Sequence, residues 1–278
     1  MNHYATLGDL RRYLALSAGQ TGDDDLLLEL LRAASRLIEG YTGRRFYPRR
    51  QTRTYTVRRP DVLLLDDDLL ELRALTNGDG QAIPLAAVHA QPSGLVASRL
   101  VLDRSRAVFT HSGDPVDALA VEGVWGFHPA WAEAWAASGD SVQDAPLSAA
   151  ATTLHVADAD APDASGYGQR FMVGQLLRLG DEYLHVLAVD TAANALTVAR
   201  GVNGTQAAEH AQGTPIDVYS VPADVRSACL RLASWLYRQP DAGFVQVGGG
   251  LSGRLVVPPA MPEDVQAILA PYVRVRVA

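Results

Sequence analysis

The chain of 278 residues is 48% hydrophobic and carries a formal charge of −7, enough length for one large core or two ordinary ones. It has no lysine; all 24 basic residues are arginine, which excludes P-loop nucleotide chemistry and lysine Schiff-base mechanisms. A lone cysteine, Cys229, excludes an internal disulfide, and no apolar run approaches the ~20 residues of a membrane span.

The opening Met1-Asn2-His3-Tyr4-Ala5-Thr6 has no basic segment followed by an apolar one, so no secretory signal is read and the chain is expected to stay in a cytosol until assembled. Thr6 is placed to cap a helix over Leu7–Leu14. Asp23, Asp24 and Asp25 then suit the positive end of a long helix. Its residues Leu27, Leu30, Leu31, Ala34, Leu37, Ile38 and Tyr41 follow the amphipathic rule, and Gly43 ends it. Leu26, Leu28 and Ala33 fall outside that stripe, as expected of a helix either deep in a core or shared with a neighbouring subunit.

Strands are predicted over Thr52–Val57, Val62–Leu65, Leu70–Leu75, Leu100–Leu102 and Leu119–Val124, with a turn at Asn77-Gly78-Asp79-Gly80. After Trp135 the composition shifts to Ala, Asp, Ser and Gly. Short runs at Gln175–Leu179, Tyr183–Val189 and Ala195–Ala199 then suggest a small sandwich or barrel. Ten acidic residues and three arginines lie between Ala137 and Val218, so this segment holds the whole net charge. A helix follows Pro222, with Val225, Ala228, Cys229, Leu232 and Leu236 as its apolar stripe, and Pro240 stops it. A shorter helix is predicted over Pro262–Leu269. The fold expected is α+β: a helical core with a small antiparallel sheet (1–136 and 221–278), interrupted by an inserted all-β domain (137–220).

Chemistry is sparse. Gly249-Gly250-Leu251-Ser252-Gly253 lacks the Gly-x-Ser-x-Gly spacing of a nucleophile elbow. Asp158, Asp160 and Asp163 begin like a calcium loop, but Pro162 and Gln169 break the pattern. The seven histidines include no metal-binding pair, and Asn203-Gly204-Thr205 reads as a tight turn. Asp181 and Glu182 are the carboxylates a hydrolase would need, with nothing to place them across a cleft. No catalytic residue, cofactor or metal site is therefore assigned, and the chain is read as a non-enzyme. Cys229 reads as a buried thiol.

Two clusters invite binding. Arg44, Arg45, Arg49, Arg50, Arg53, Arg58 and Arg59 interleave with Phe46, Tyr47 and Tyr55. They could grip phosphates, pair with Asp66, Asp67 and Asp68, or form a salt-bridge seam between subunits. Trp125, Phe127, His128, Trp131 and Trp135 could stack on sugars or fill a hinge between insert and core. Finally Tyr272, Val273, Arg274, Val275, Arg276 and Val277 alternate like a strand. Such a strand can complete a sheet on a partner molecule.

The run Ile38-Glu39-Gly40-Tyr41-Thr42-Gly43-Arg44-Arg45-Phe46-Tyr47, with Tyr4-Ala5-Thr6-Leu7-Gly8-Asp9-Leu10 before it, resembles the head–tail connector (adaptor) proteins of tailed bacteriophages. Leu63-Leu64-Leu65-Asp66-Asp67-Asp68-Leu69-Leu70 and Val121-Glu122-Gly123-Val124-Trp125-Gly126-Phe127-His128 fit the same picture. The insert departs from the minimal family, and its Val198-Ala199-Arg200-Gly201-Val202-Asn203-Gly204-Thr205 resembles small β modules of other phage virion proteins. The resemblance implies a structural virion protein of the neck, assembled in the bacterial host cytoplasm. It implies a homo-oligomeric ring, commonly of twelve subunits, under the portal protein. The ring would extend the channel for double-stranded DNA without reading its sequence, and would seat the next neck or tail-completion protein. Leu26, Leu28, Ala33, Arg44 and Arg45 are the candidate subunit interface. No membrane partner is expected. The competing reading is a tail or baseplate component whose insert binds carbohydrate.

Overall fold

The computed structural model describes residues 2–17, 19–94, 96–163, 166, 168–238 and 261–274. They fall into two compact units. One comprises Met1–Gly43, Met172–Gln175 and Ala223–Ala278; the other comprises Arg44–Phe171 and Leu176–Pro222.

The first unit is helical. Helix α1 (Leu7–Tyr13) begins on a reciprocal cap: Thr6 Oγ1 accepts the Asp9 amide, and the Asp9 carboxylate accepts the Thr6 amide. Helix α2 (Asp24–Thr42) ends where Gly43 takes a left-handed φ of 65° and its N–H reaches the Glu39 carbonyl. Leu27, Leu31, Ala34 and Ile38 are fully buried on one stripe of α2. They pack toward helix α3 (Ala223–Arg238), whose Val225, Ala228, Cys229 and Leu232 are buried in turn. Arg226 of α3 forks onto the buried Asp9 carboxylate, at 3.2 and 2.5 Å. Ser35 accepts the Tyr4 amide and donates to the Leu31 carbonyl. The Cys229 thiol lies 3.7 Å from the Ser35 oxygen, and burial pushes its pKa up to about 12. It is thus an inert packing group at neutral pH.

Helix α4 (Glu263–Leu269) leads into a 3₁₀ turn at Ala270–Tyr272. The expected terminal strand therefore does not begin at Tyr272, where Pro271 sits in the turn and favours it. Arg274 instead donates its amide to the Thr42 carbonyl at the end of α2. Val275, Arg276 and Val277 lie outside the described residues.

The second unit holds two antiparallel sheets. Strands β1 (Arg49–Tyr55), β2 (Val62–Thr76), β3 (Val88–Gln91), β4 (Ala97–Leu102) and β5 (Leu119–Trp125) form the first, in the order β1-β5-β2-β4-β3. Strands β6 (Trp135–Ser141), β7 (Thr153–His155), β8 (Leu176–Leu179), β9 (Glu182–Asp190), β10 (Ala195–Ala199) and β11 (Pro215–Tyr219) form the second, in the order β6-β11-β8-β9-β10-β7. The expected helical core carrying a small sheet is not what is found. Each sheet has its own apolar cluster, one around Leu69, Leu100, Val121 and Trp125, the other around Leu154, Phe171, Leu184 and Leu196. The second sheet occupies Trp135–Tyr219, close to the expected insert, yet it belongs to the same compact unit as the first.

Two predicted strands merge. Val62–Leu65 and Leu70–Leu75 are parts of the single strand β2, which crosses Asp66-Asp67-Asp68 through a register shift between Leu64 and Leu69. Strands β3, β6, β7 and β11 were not expected. β6 reads Trp-Ala-Ala-Ser-Gly-Asp-Ser, a weak strand former that its pairing with β11 makes into one.

In the interior of the first sheet, Gly123 leaves no room for a side chain. A Cβ there would lie 2.5 Å from Leu69 Cδ1 and 2.6 Å from the Glu71 carbonyl oxygen. Gly123→Ala should lower stability by about 1–3 kcal/mol, measured as a shift of the urea midpoint at unchanged slope.

Candidate functional site

The arginine cluster is resolved by the bulged crossing of β2. Arg44 pairs with Asp68 at 2.7 Å, Arg45 with Asp67 at 3.2 Å, and Arg53 with Asp67 at 2.8 Å and Asp66 at 3.1 Å. Tyr55 donates its hydroxyl to Asp66 at 2.5 Å. The guanidinium of Arg53 also lies 4.3 Å above the Trp125 ring, and that of Arg44 4.2 Å above Phe127. Burial opposes ionisation of Asp66, but the Tyr55 hydroxyl and the Arg53 charge outweigh it and hold the carboxyl below its usual range. Burial and the same carboxylate push the Tyr55 phenol up. Arg50 reaches Glu122 at 3.2 Å, while Arg58 and Arg59 are exposed in the β1–β2 connection. The pairing with Asp66, Asp67 and Asp68, one of the readings open from sequence, forms within the chain. A phosphate would have to displace a carboxylate at Arg44, Arg45 or Arg53.

The second sheet is locked by one carboxylate. Glu182 opens β9 with its side chain 1% exposed. It accepts from Arg200 Nε and Nη2 at 2.7 and 2.8 Å, from the Gly201 and Ala208 amides at 3.0 Å each, and from His210 Nε2 at 2.8 Å. Arg200 spends its remaining donor capacity on the Ser148, Ala151 and Ala208 carbonyls. Thr205 Oγ1 accepts the Tyr183 amide and donates to the Val202 carbonyl. The Arg200-Gly201-Val202-Asn203-Gly204-Thr205 run is therefore a clamp on β9. Asn203-Gly204 is the expected tight turn, with φ of 54° and 81°, and it sits on the edge of β1. The Arg50 amide donates to the Asn203 carbonyl, and a Cβ on Gly204 would come within 2.0 Å of the Arg50 carbonyl oxygen.

A polar cleft of about 480 Å³ opens beside this turn, lined among others by Arg50, Thr52, Glu122, Asp181, Gln206 and His210. Its charges are already paired, Arg50 with Glu122 and Asp181 with Arg73 at 2.8 Å. Asp181 is held below the usual carboxylate range by the Arg73 hydrogen bond. At Glu182 the donated bonds overcome burial with the same result. Both remain ionised at neutral pH, and neither is poised as a general acid. Among the described residues no group of three or more His, Cys, Asp or Glu side chains could hold a metal ion.

The aromatic cluster packs at the junction of the two sheets. Trp135 stands 5.1 Å from Tyr183 and 5.2 Å from Tyr219, with Arg178 4.7 Å above its ring. Tyr219 donates to the Phe46 carbonyl at 3.0 Å, and its phenol is raised by burial. His128 Nε2 meets the Ser220 carbonyl at 3.0 Å. Trp125 is 1% exposed, so it offers no face to a sugar. This geometry supports the hinge reading for Trp125, His128 and Trp135, while Phe127 and Trp131 are half-buried.

The acidic loop is organised by Asp140, which the sequence did not single out. Its carboxylate accepts the Ser141, Ala157 and Asp158 amides and the Arg170 guanidinium. Asp158 turns back to accept the Ala161 amide. Glu182 and Asp140 share no sequence signal; what marks them is a buried carboxylate ringed by donors, visible only once the chain has folded.

Of the expected interface residues, the structure separates what the sequence grouped. Leu26 is 46% exposed and Ala33 is exposed on the same stripe of α2, joined by Leu37 at 39% and Tyr41 at 37%. Leu37 and Tyr41 thus leave the predicted buried stripe. Leu28 is half-buried and, at 100° per residue, falls on another side of the helix. Tyr272 donates its hydroxyl to Asp224 at 3.0 Å.

No protein-family model and no curated protein matches the chain. Among solved structures, a chain from the neck of an empty gene transfer agent particle with C6 symmetry is 17% identical, over 98% of this chain and 90% of that one, with a TM-score of 0.42. A chain from the virion of a native gene transfer agent particle is 16% identical over the same shares, with a TM-score of 0.40. The overlays are loose.

Removing the clamp should be costly in a defined way. Glu182→Ala strands Arg200 in a buried site and should lower stability by about 3–5 kcal/mol. The folded Glu182 pKa lies below its unfolded value near ~4.3, so its contribution is full above that pH and fades as pH falls through the folded value. Glu182→Gln should therefore flatten the acid limb of the stability–pH curve, while leaving the pH 6–8 plateau lower but level. Chemical denaturation across pH checks both.

Proposed function

We propose that this chain is a structural protein of a phage-like neck, a subunit of a ring that lies beneath the portal, prolongs the DNA channel and seats the next neck protein. The observation that carries the reading is α2. It ends in the distinctive Tyr41–Tyr47 run that resembles the connector family, and it bears two apolar stripes side by side, one buried and one exposed. A helix of this kind is made to be covered by another protein surface.

The other features suit the role. In a cyclic ring each contact is heterologous, so the exposed α2 stripe of one subunit would meet a different surface of the next. Leu26 and Ala33 belong to that seam. Arg44 and Arg45 are engaged with Asp68 and Asp67 within the subunit, and Arg45, its side chain 42% exposed, keeps its place in the proposed interface. The same pairing neutralises the cluster that could have held DNA, which favours passage without adhesion. The acidic second sheet adds charge of the sign that repels phosphate. The tail from Tyr272 to Val277 remains the segment proposed to dock on a partner, with Tyr272 and Arg274 holding its start to the subunit.

Negative-stain images of the purified chain should show rings, or density capping the portal when portal is added. A chain that stays unassembled with portal present refutes the role. Truncation after Arg274 spares the bonds of Tyr272 and Arg274. It should leave the melting temperature unchanged and abolish co-sedimentation with portal.

A further inference from the structure

The exposed stripe of α2 has an internal logic that identifies a partner. Leu26, Leu30, Ala33 and Leu37 follow one another at steps of four, three and four, and Gly40 and Tyr41 continue the line. That spacing, which the buried stripe of α2 shares where it packs toward α3, suits the packing of a second helix. Leu27, Leu31, Ala34 and Ile38 face the interior of their own unit, so the seam is a second, outward apolar line about 100° around the helix. Its outer rim is charged, and the sign changes at the midpoint. Asp25 and Glu29 precede Ala33, whereas Arg36 follows it, with Arg32 alongside.

We infer that the occupant of this face is a second copy of the chain, its α2 lying antiparallel on the first and crossing at Ala33. The small side chain at the centre lets the two backbones approach. Leu26 and Leu30 of each copy then meet the Leu37–Tyr41 half of the other. On the rim, antiparallel pairing sets Glu29 against Arg36 of the second copy, twice over by symmetry. Parallel pairing would set this rim against the other flank of the second helix, where Leu27, Ala34 and Ile38 lie, and leave both charges unanswered. Arg36 already bonds Glu39 within its own helix at 2.6 Å and is 40% exposed. A guanidinium has five donors and can serve more than one carboxylate at once.

A two-fold contact closes on itself and cannot propagate round a cyclic ring. The pairing is therefore a state of the unassembled chain. It stands independently of the neck reading; if both hold, ring assembly must exchange one cover of the stripe for the other.

The test is the mass of the full-length chain by light scattering and sedimentation equilibrium over a dilution series. The wild type should be a dimer. Leu37→Asp should be monomeric with an unchanged thermal melt, since Leu37 lies outside the buried core. Glu29→Arg and Arg36→Glu should each weaken the dimer by roughly fivefold to tenfold, two rim pairs being lost together. The double variant Glu29→Arg/Arg36→Glu should regain wild-type affinity, a rescue that no heterologous partner and no loosely apolar contact would give. A wild type that is monomeric throughout overturns the inference, as does a double variant no tighter than the singles. Rings on portal from such a monomer would leave the neck role standing and remove only this pairing. A rescued dimer that never assembles on portal would do the reverse.

Discussion

The Glu182 carboxylate is the interaction on which the second sheet and its attachment to the first depend. Five donors converge on it, three of them from the loop between Gly201 and His210 and two from Arg200. Such a buried pair contributes little compared with a well-packed apolar equivalent, yet losing one partner is expensive. Its role is geometric. By holding the Arg200–His210 loop in one conformation, it aims the Asn203-Gly204 turn at the edge of β1, where the Arg50 amide is satisfied. An open strand edge invites unwanted pairing; here the turn covers part of it.

The same economy of charge runs through the first sheet. The bulge in β2 brings three consecutive aspartates into reach of Arg44, Arg45 and Arg53, and the guanidinium planes are further used to cover Phe127 and Trp125. Arginine suits both tasks because its flat, forked head can accept a carboxylate at its edge and an aromatic ring on its face. A composition without lysine thus places this resource at every basic position. As a consequence these three cations are already engaged with carboxylates of the same sheet.

Helix α2 carries the opposite tension. Its buried stripe satisfies the first unit, while Leu26, Leu37 and Tyr41 are left facing outward on the neighbouring stripe. Apolar groups in a continuous line along nineteen residues of helix are poorly tolerated in an isolated monomer. They become useful when covered, and the sign change of the rim charges at Ala33 gives the line a sense of direction.

The sequence by itself determined what depends on neighbours along the chain. The cap at Thr6, the span of α2 from its aspartates to Gly43, the Asn77 and Asn203 turns and the extent of the acidic β-rich segment are all local, set by φ preference, capping and periodicity. The absence of lysine and of paired cysteine likewise needed no structure. Only the tertiary structure decided which leucines of α2 face inward, since its two stripes lie a single residue apart and differ only in what packs on them. It alone turned Val62–Thr76 into one bulged strand, made a strand of Trp135–Ser141 by pairing it with β11, and turned the chain at Ala270–Tyr272 where alternation had suggested a strand. It alone joined Arg200 to Glu182 and Asp140 to Arg170, because a carboxylate's partners across the fold leave no trace in spacing. Of the residues that looked most chemical in sequence, Arg44, Arg45, Arg50, Arg53 and Trp125 proved to be answered from within, while Arg58 and Arg59 stay exposed; the physical reason is that burial obliges a charge or a large ring to find its complement inside the same unit.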